Sequence, residues 1–229
     1  MRLLCFHCAG GSSSMFKRWR LEGIQVIPFD LPGRGKQVDR PMIEDFHEAT
    51  DYLVAQVEAT IQDGKPWGVF GHSMGALFAY EVTRRLQNRN PIFRILSGIN
   101  PLQEYKGVVR VTKEDDSTLM QKMAALGGIP DHLQRHPMFI KWFAPIIRAD
   151  LSLVETFVFQ KEFSPIPTYV INGDDDRIID KTKIHLWNEC MNQAVSIGMI
   201  KGDHFEILKH PEIISNLVSK YIQVGVIVD

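Results

Sequence analysis

The stretch that decides the fold is "WGVFGHSMGALFAYEVTRRLQ", residues 67–87. Its first four residues form an apolar run typical of a buried strand, and the residues from Met74 onward have helical spacing. Between them lies Ser73, flanked by glycines in the pattern G-x-S-x-G. At a strand–turn–helix junction this pattern exposes the serine hydroxyl at the carboxyl end of a sheet, beside a helix amino terminus that favours negative charge. The context therefore indicates a nucleophile rather than an ordinary serine in a tight loop.

Short apolar runs recur along the rest of the chain between helical patterns. They cover residues 3–8, 24–29, 67–70, 92–96, 167–171 and 195–200. Near-continuous apolar runs that alternate with helices are typical of a parallel sheet covered on both faces. We therefore predict an α/β fold with a mostly parallel sheet of about six strands. The length and the absence of a linker predict a single domain over residues 1–229.

One interval between predicted strands is longer than a helical crossover requires. Roughly seventy residues separate the fourth and fifth apolar runs, and connections of that length are usually functional insertions. We predict a helical lid over residues 102–160. Its first part, residues 113–128, has helical spacing, and residues 138–159 are the most apolar and aromatic part of the chain. These side chains either line a pocket or pack the lid onto the body.

The composition of the chain limits the classes of partner and the cellular compartments that we expect for it. Lysine and arginine number 26 against 27 acidic residues, so no global field attracts nucleic acid or an anionic membrane. No apolar run has the length of a membrane span, and the four apolar residues after Arg2 are too few for a signal-peptide core. Three cysteines cannot form a disulfide framework. We expect a cytoplasmic monomer, and a redox role for Cys5 and Cys8 is disfavoured because their C-x-x-C lies in a strand-like run.

A serine hydroxyl needs a general base within hydrogen-bond reach, and the base needs an acid to orient it. In this architecture the acid and then the base follow the serine along the chain, each in a loop after a strand. His204, in "KGDHFEIL" at residues 201–208, is the only histidine directly after the last predicted strand. We predict that His204 is the base, and that His72, although adjacent to Ser73, points elsewhere.

The acid is harder to assign, because three aspartates are consecutive. "NGDDDRIID", residues 172–180, follows the fifth apolar run and contains Asp174, Asp175 and Asp176. We favour Asp176, three residues beyond Gly173, as the acid, with Asp175 as the alternative. The remaining aspartates are interpreted as turn-forming and solvated.

An oxyanion hole requires two preorganised backbone N–H groups. One is expected from Met74, the residue after the nucleophile, and the other from the loop after the first strand. That loop lies within "FHCAGGSSS", residues 6–14, where Ala9 is the expected donor and Gly10 its neighbour. The alternative is a plain glycine-rich turn.

These blocks together resemble the type II thioesterases, the stand-alone α/β-hydrolases that accompany polyketide and nonribosomal peptide synthases. The matching pieces are "FHCAGGSSSMFKRW", "DLPGRGKQVDRP", "GHSMGALFAYE", "LGGIP", "IRADLSLVE", "NGDDDRIID" and "GDHFEIL". "LPGRG" and "LGGIP" separate this family from generic esterases, which share only the serine motif and the sheet. One departure is that the strand before the glycine-rich loop begins at residue 2 or 3, without the extra strands that often precede it.

The resemblance implies a function as well as a fold. It implies catalysis by Ser73, Asp176 and His204, with the amides of Ala9 and Met74 as the oxyanion hole and with no metal or cofactor. The implied substrate is an acyl thioester on the phosphopantetheine arm of an acyl or peptidyl carrier protein. The implied task is removal of aberrant or stalled acyl groups from a blocked synthase.

Three other interpretations stay open. Within the same class of enzyme, the alternatives are a chain-releasing medium-chain fatty acyl thioesterase and a soluble carboxylesterase. A binding protein that keeps the fold without turnover is disfavoured, because it would not need all three catalytic groups. The stretch "KRWR", residues 17–20, either docks an acidic carrier protein near the mouth of the site or is a solvated face.

Overall fold

The computed structural model describes residues 1–105, 111–161, 166–191 and 195–225. Its sheet contains six strands: β1 Arg2–Phe6, β2 Gln25–Phe29, β3 Trp67–His72, β4 Arg94–Ser97, β5 Thr168–Gly173 and β6 Ser196–Ile200. The strand order is β2-β1-β3-β4-β5-β6, and every neighbouring pair is parallel. The prediction of a mostly parallel sheet of about six strands is confirmed, and each strand overlaps one of the predicted apolar runs.

Helices cover both faces of this sheet. They are α1 Phe46–Ile61, α2 Met74–Arg85, α3 Asp116–Ala124, α4 Pro137–Thr156, α5 Trp187–Met191 and α6 Pro211–Gly225. Alternate residues of β1 separate the two layers: Leu4 and Phe6 pack with α1 and α2, whereas Leu3 and Cys5 pack with α6. This alternation follows from the two-residue period of a strand. Both faces of the central strands are therefore buried, which explains their uninterrupted apolar sequences.

The strand order determines which loops can meet. β1 lies inside the sheet, between β2 and β3, and Phe6 at its end is in register with Gly71 of β3. The loop after β1 therefore leaves the sheet beside the loop that contains Ser73. β5 and β6 are neighbours at the edge of the sheet opposite β2, with Gly173 in register with Ile200. The loops that follow them therefore also meet.

The predicted lid contains α3 and α4, while its residues 106–110 lie outside the described part of the chain. The predicted helix at 113–128 is shorter in the structure because Asp115 caps it, accepting a hydrogen bond from the Thr118 amide. The two helices share a small apolar core. That core includes Leu119, Met120, Ile129, Ala144 and Ile147. At the other end of α4, Leu153 packs into the main core, so α4 joins the inserted segment to the body.

The three cysteines are free and buried. Burial raises the pKa of the Cys8 thiol to about 12 and that of Cys5 well above its usual value. Both thiols are therefore protonated at neutral pH, which removes the reactivity that a redox pair requires. Among the helices of the described residues, none combines the length and the apolar character needed to cross a membrane.

Candidate active site

Ser73 lies on a strained turn between β3 and α2. Its φ of 55° and ψ of −121° fall in a region that side chains rarely adopt. The turn is possible because its flanking glycines lack Cβ atoms: a Cβ on Gly71 would lie 2.1 Å from the Gly75 carbonyl oxygen, and one on Gly75 would lie 2.2 Å from the Phe6 carbonyl oxygen. The Ser73 amide donates to the Ser97 carbonyl at 2.7 Å, which fixes the turn against β4.

His204 and Asp176 form a buried hydrogen-bonded pair in the loops after β6 and β5. His204 Nδ1 lies 2.7 Å from Asp176 Oδ2, and both residues are only 4% exposed. The other carboxylate oxygen of Asp176 accepts the Ile178 amide at 2.9 Å. With Nδ1 donating to the carboxylate, Nε2 of His204 is the unprotonated nitrogen that can accept a proton.

The neighbouring aspartates occupy different positions in the same loop. Asp175 is exposed, and its amide donates to the Gly202 carbonyl. Asp174 accepts the Gly202 amide at 2.8 Å and thereby joins the two loops. The structure thus places Asp176, rather than Asp175, against His204.

The glycine directly after β4 has no side chain and so leaves room for the His204 ring beside the turn that contains Ser73. Gly98 has a φ of 62°, and a Cβ there would lie 2.8 Å from His204 Cε1 and 2.6 Å from His72 Cε1. No hydrogen bond joins Ser73 Oγ to His204 within the described part of the chain. In serine hydrolases without substrate this contact is often long and tightens when the substrate binds.

His72 differs from the expectation that it points away from the site. Its ring centroid lies 4.7 Å from that of His204, and its Nδ1 lies 3.2 Å from Ser97 Oγ. Burial, and to a smaller extent His204, hold the pKa of His72 well below its usual value, so the ring is neutral. The sequence offers one signal for this contact, namely that His72 ends the same strand that presents Ser73.

The loop after β1, residues 7–12, is called the β1 loop here. It turns back on itself through a hydrogen bond from the Gly11 amide to the Cys8 carbonyl at 3.0 Å. The amides of Ala9 and Met74 donate to no protein acceptor among the described residues, so both are available for a ligand. The turn uses Gly10 at a φ of 71°, a conformation that glycine adopts at little cost.

Two buried carboxylates that the sequence did not single out hold this loop and Ser13, the residue that follows it. Asp150 Oδ2 accepts the Gly10 amide at 2.7 Å, and Asp30 accepts the Ser13 amide at 2.6 Å. Burial opposes ionisation of Asp30, but hydrogen bonds from Ser13 and Lys36 outweigh it and lower the pKa of that carboxyl. The only sequence signal was that both aspartates lie in blocks shared with the type II thioesterases.

Two cavities open beside the candidate site and share Gly127 as a lining residue. The apolar cavity has a volume of about 340 Å³ and lies between the β1 loop and the inserted segment. It is lined by the loop and by Met15, Met123, Ile129, Phe143, Ile147 and Phe205. The polar cavity, about 280 Å³, is lined by residues 124–127 and by Asp175, Arg177, Asp203 and His204. A larger groove of about 610 Å³ lies at the amino ends of β3 and β4, and its lining includes none of the predicted site residues.

A parallel sheet with a serine on a strained strand–turn–helix junction defines the α/β-hydrolases. The family model described as "Thioesterase domain" matches residues 1–221, and the chain belongs to this family. The predicted fold and the predicted resemblance to thioesterases are both confirmed. A thioesterase cleaves thioesters with water, so the prediction of a hydrolase is confirmed as well.

Individual relatives agree with the family match. A protein of Vibrio anguillarum named "Probable anguibactin biosynthesis thioesterase AngT" is 30% identical over 214 residues, which cover 89% of this chain and 84% of the relative. The human "S-acyl fatty acid synthase thioesterase, medium chain" is 29% identical over 238 residues, covering 98% and 88%. The solved structure titled "Crystal structure of ClbQ from the colibactin NRPS/PKS pathway" is 26% identical, with a TM-score of 0.87 over 100% of this chain and 99% of that one.

Proposed function

We propose that the protein hydrolyses acyl groups from the phosphopantetheine arms of carrier proteins and so clears stalled polyketide or nonribosomal peptide synthases. One observation carries this proposal: the buried His204–Asp176 pair lies at the carboxyl end of the parallel strands, as Ser73 does, in a chain of the thioesterase family. The names of two relatives support the setting, since AngT is assigned to anguibactin biosynthesis and ClbQ to the colibactin NRPS/PKS pathway.

The reaction follows from the roles of these groups. Ser73 Oγ attacks the thioester carbonyl carbon while His204 Nε2 takes the hydroxyl proton, and Asp176 stabilises the resulting imidazolium. The amides of Ala9 and Met74 bind the oxyanion of the tetrahedral intermediate. Collapse of this intermediate breaks the C–S bond, and the sulfur leaves as a thiol with the proton from His204. Water, deprotonated by His204, then attacks the acyl-enzyme carbonyl. Collapse of this second intermediate breaks the bond to Ser73 Oγ, which takes the proton back from His204, and the carboxylic acid is released.

The two cavities suggest how the substrate lies. The apolar cavity accepts the acyl chain, because the side chains of Met123, Phe143, Ile147 and Phe205 that line it are apolar. The polar cavity beside His204 accepts the phosphopantetheine arm, whose amides need hydrogen-bonding partners. The thioester carbonyl then lies where the cavities meet, next to the β1 loop.

The main test measures serine-dependent hydrolysis. Wild-type protein and Ser73→Ala are incubated with carrier domains loaded with short or long acyl groups, and mass spectrometry shows which carriers lose them. Ser73→Ala should lose roughly 10⁴-fold or more of the rate while it keeps the fold and binds the carrier. Ser219→Ala on α6 is the matched control. Unchanged hydrolysis by Ser73→Ala would contradict the proposed mechanism.

A second candidate function is release of medium-length fatty acyl chains, which the human relative favours through its name and its coverage of nearly the whole chain. The same panel separates the two functions. Clearing of synthases predicts hydrolysis of short acyl groups on carrier domains of polyketide or peptide synthases. Chain release predicts a preference for medium-length fatty acyl groups and slow hydrolysis of the short ones. Preference for simple esters over both thioesters would favour a carboxylesterase.

Docking of the carrier involves residues 17–20 in this proposal. Lys17, Arg18 and Arg20 are exposed, whereas Trp19 is buried and donates to the Leu208 carbonyl at 3.2 Å. Because Trp19 anchors this segment, the three cationic side chains lie at a defined position near the β1 loop, where they can attract an acidic partner. Reversing the charge of Lys17 and Arg18 should raise KM for carrier-bound substrates but not for small thioesters. Lys65→Glu with Lys220→Glu is the control for net charge.

A further inference from the structure

Asp150 of α4 and Arg34 of the loop after β2 form a buried ion pair close to the β1 loop. The Arg34 side chain is 4% exposed and that of Asp150 is fully buried. Asp150 Oδ2 accepts both from Arg34 Nη1 and from the Gly10 amide. Asp150 Oδ1 and Arg34 Nε are buried, and neither has a hydrogen-bond partner among the residues that the structure describes.

Stability alone does not account for this arrangement. Burying two charges costs desolvation energy that their attraction repays only when the remaining polar atoms are also satisfied. Here one oxygen and one nitrogen of the pair are unsatisfied, so apolar side chains of similar volume would be a comparable solution. What distinguishes this pair is that Asp150 also accepts a hydrogen bond from the Gly10 amide.

That amide is adjacent to the expected oxyanion donor. The Gly10 N–H and the Ala9 carbonyl belong to one rigid peptide plane. A hydrogen bond to Gly10 therefore fixes one of the two peptide planes that meet at the Ala9 Cα, and the Ala9 N–H belongs to the other. α4 also contacts the loop directly, since a Cβ on Gly10 would lie 3.2 Å from both Ile147 and Phe143.

We propose that Asp150, held by Arg34, is a positioning residue through which α4 aligns the Ala9 amide for the oxyanion. This inference rests on the proposed function, because it assigns a role to Ala9 in catalysis. A charge-assisted hydrogen bond is suited to the task, being shorter and stronger than a neutral one. The contact with Arg34 holds the Asp150 side chain in place, aimed at the loop.

The proposal links the inserted segment to catalysis. Asp150 lies on α4, within the predicted lid, so displacement of α4 would remove the acceptor from Gly10. The oxyanion amide is then aligned only while α4 is docked on the body. Binding of an acyl chain in the apolar cavity, which α4 lines with Phe143 and Ile147, would favour that docked arrangement.

Two double variants separate alignment from stability. Arg34→Met with Asp150→Asn removes both charges but keeps an oxygen that can accept the Gly10 amide. Arg34→Met with Asp150→Leu removes the charges and the acceptor. Both should melt within about 5 °C of each other, because neither leaves a buried charge unpaired. The Leu variant should lose roughly 10- to 100-fold in kcat relative to the Asn variant, with KM changed less than about threefold.

A matched control uses a different ion pair on the same helix. Arg148 on α4 pairs with Asp116 of α3 at 2.7 Å and does not contact the β1 loop. Arg148→Met with Asp116→Asn should keep kcat within about twofold of the wild-type value. Equal kcat values for the Asn and Leu variants, or a loss confined to KM, would overturn the proposal.

A measurement independent of activity completes the test. Hydrogen exchange followed by NMR should show a protected Gly10 amide in the wild-type protein and in the Asn variant, and an unprotected one in the Leu variant. Should the Leu variant not fold, rapid exchange of Gly10 in the wild-type protein would itself overturn the proposal. A wild-type protein without serine-dependent thioesterase activity would contradict the proposed function, while Gly10 exchange would still decide whether Asp150 orders the loop.

Discussion

The two sides of Ser73 are built from different parts of the molecule. On the base side, His204 and Asp176 lie in loops that directly follow β6 and β5, and Asp174 joins these loops. On the oxyanion side, the β1 loop follows the sheet but is fastened by Asp150 from the inserted segment. The hydrogen bonds of the base side join loops that follow strands of the sheet, whereas those of the oxyanion side also depend on where α4 lies. A movement of α4 should therefore affect stabilisation of the oxyanion more than proton transfer.

The largest effect is expected on the base side. Asp176→Asn should lower kcat by roughly 10³- to 10⁴-fold on a short acyl thioester of N-acetylcysteamine, because asparagine does not hold His204 in the tautomer that accepts the serine proton. The matched control is Asp175→Asn, which changes the exposed neighbour and should keep kcat within about threefold. A larger loss of kcat from Asp175→Asn than from Asp176→Asn would show that Asp175, and not Asp176, is the acid.

A smaller loss of kcat is expected when the His204 ring is displaced than when Asp176 no longer orients it. Gly98→Ala adds a methyl group 2.8 Å from His204 Cε1, at a φ of 62°. Displacement of the ring should lower kcat roughly 10- to 100-fold. Gly64→Ala introduces alanine at a similar φ of 72° with no atom within 4 Å, so it should cost about 1 kcal/mol in stability and leave kcat intact. Equal kcat values for the two variants would show that His204 tolerates the collision.

Each side also contains a buried neutral histidine, which predicts a pH dependence of stability. Burial and then Arg34 lower the pKa of His7, with Asp150 opposing, and burial lowers that of His72. Below pH 6.5, the usual pKa of histidine, the unfolded chain therefore binds more protons than the folded one. Stability should fall as the pH decreases, by up to about 1.4 kcal/mol per pH unit for each histidine.

Urea unfolding at pH 7.5, 6.5 and 5.5 measures this dependence. His7→Gln and His72→Gln should each reduce the loss of stability between pH 6.5 and 5.5, and the combined variant should reduce it further. A loss of stability that both variants leave unchanged would show that neither histidine resists protonation in the folded protein.

The smallest effect concerns the thiol in the β1 loop. Cys8 is buried, with a pKa raised to about 12, so it should not react with Ellman's reagent in the folded protein at pH 8. Denaturation in urea should release all three thiols. Reaction of Cys8 at a rate near that of the unfolded chain would show that the β1 loop opens readily on the oxyanion side.

The sequence predicted those parts of the fold whose signals lie in neighbouring residues. Each strand is a short apolar run, and the turn at Ser73 carries its own glycines. The sequence leaves Asp175 as an alternative to Asp176, because the two are identical residues in consecutive positions and only the geometry of the turn separates them. In the structure, the hydrogen bond from the Ile178 amide turns Asp176 inward.

The contacts that the sequence did not predict join distant residues. Asp150 and Gly10 are 140 positions apart, and Asp150 and Arg34 are 116 apart. No periodicity or turn pattern connects such positions, because their meeting depends on the path of the whole inserted segment. The contact of His72 with His204 was missed for the same reason, since it depends on how the last loop folds back over β3.

The strand order also bears on when the enzyme gains its activity. Ser73 and both expected oxyanion amides belong to the first third of the chain, whereas His204 follows β6, an edge strand that pairs only with β5. Domains are synthesised from the amino terminus, so a growing chain contains its proposed nucleophile long before its proposed base. With these roles, we expect the nascent protein to be inert toward thioesters until the last strand adds to the sheet, so that completion of the fold is the activating step.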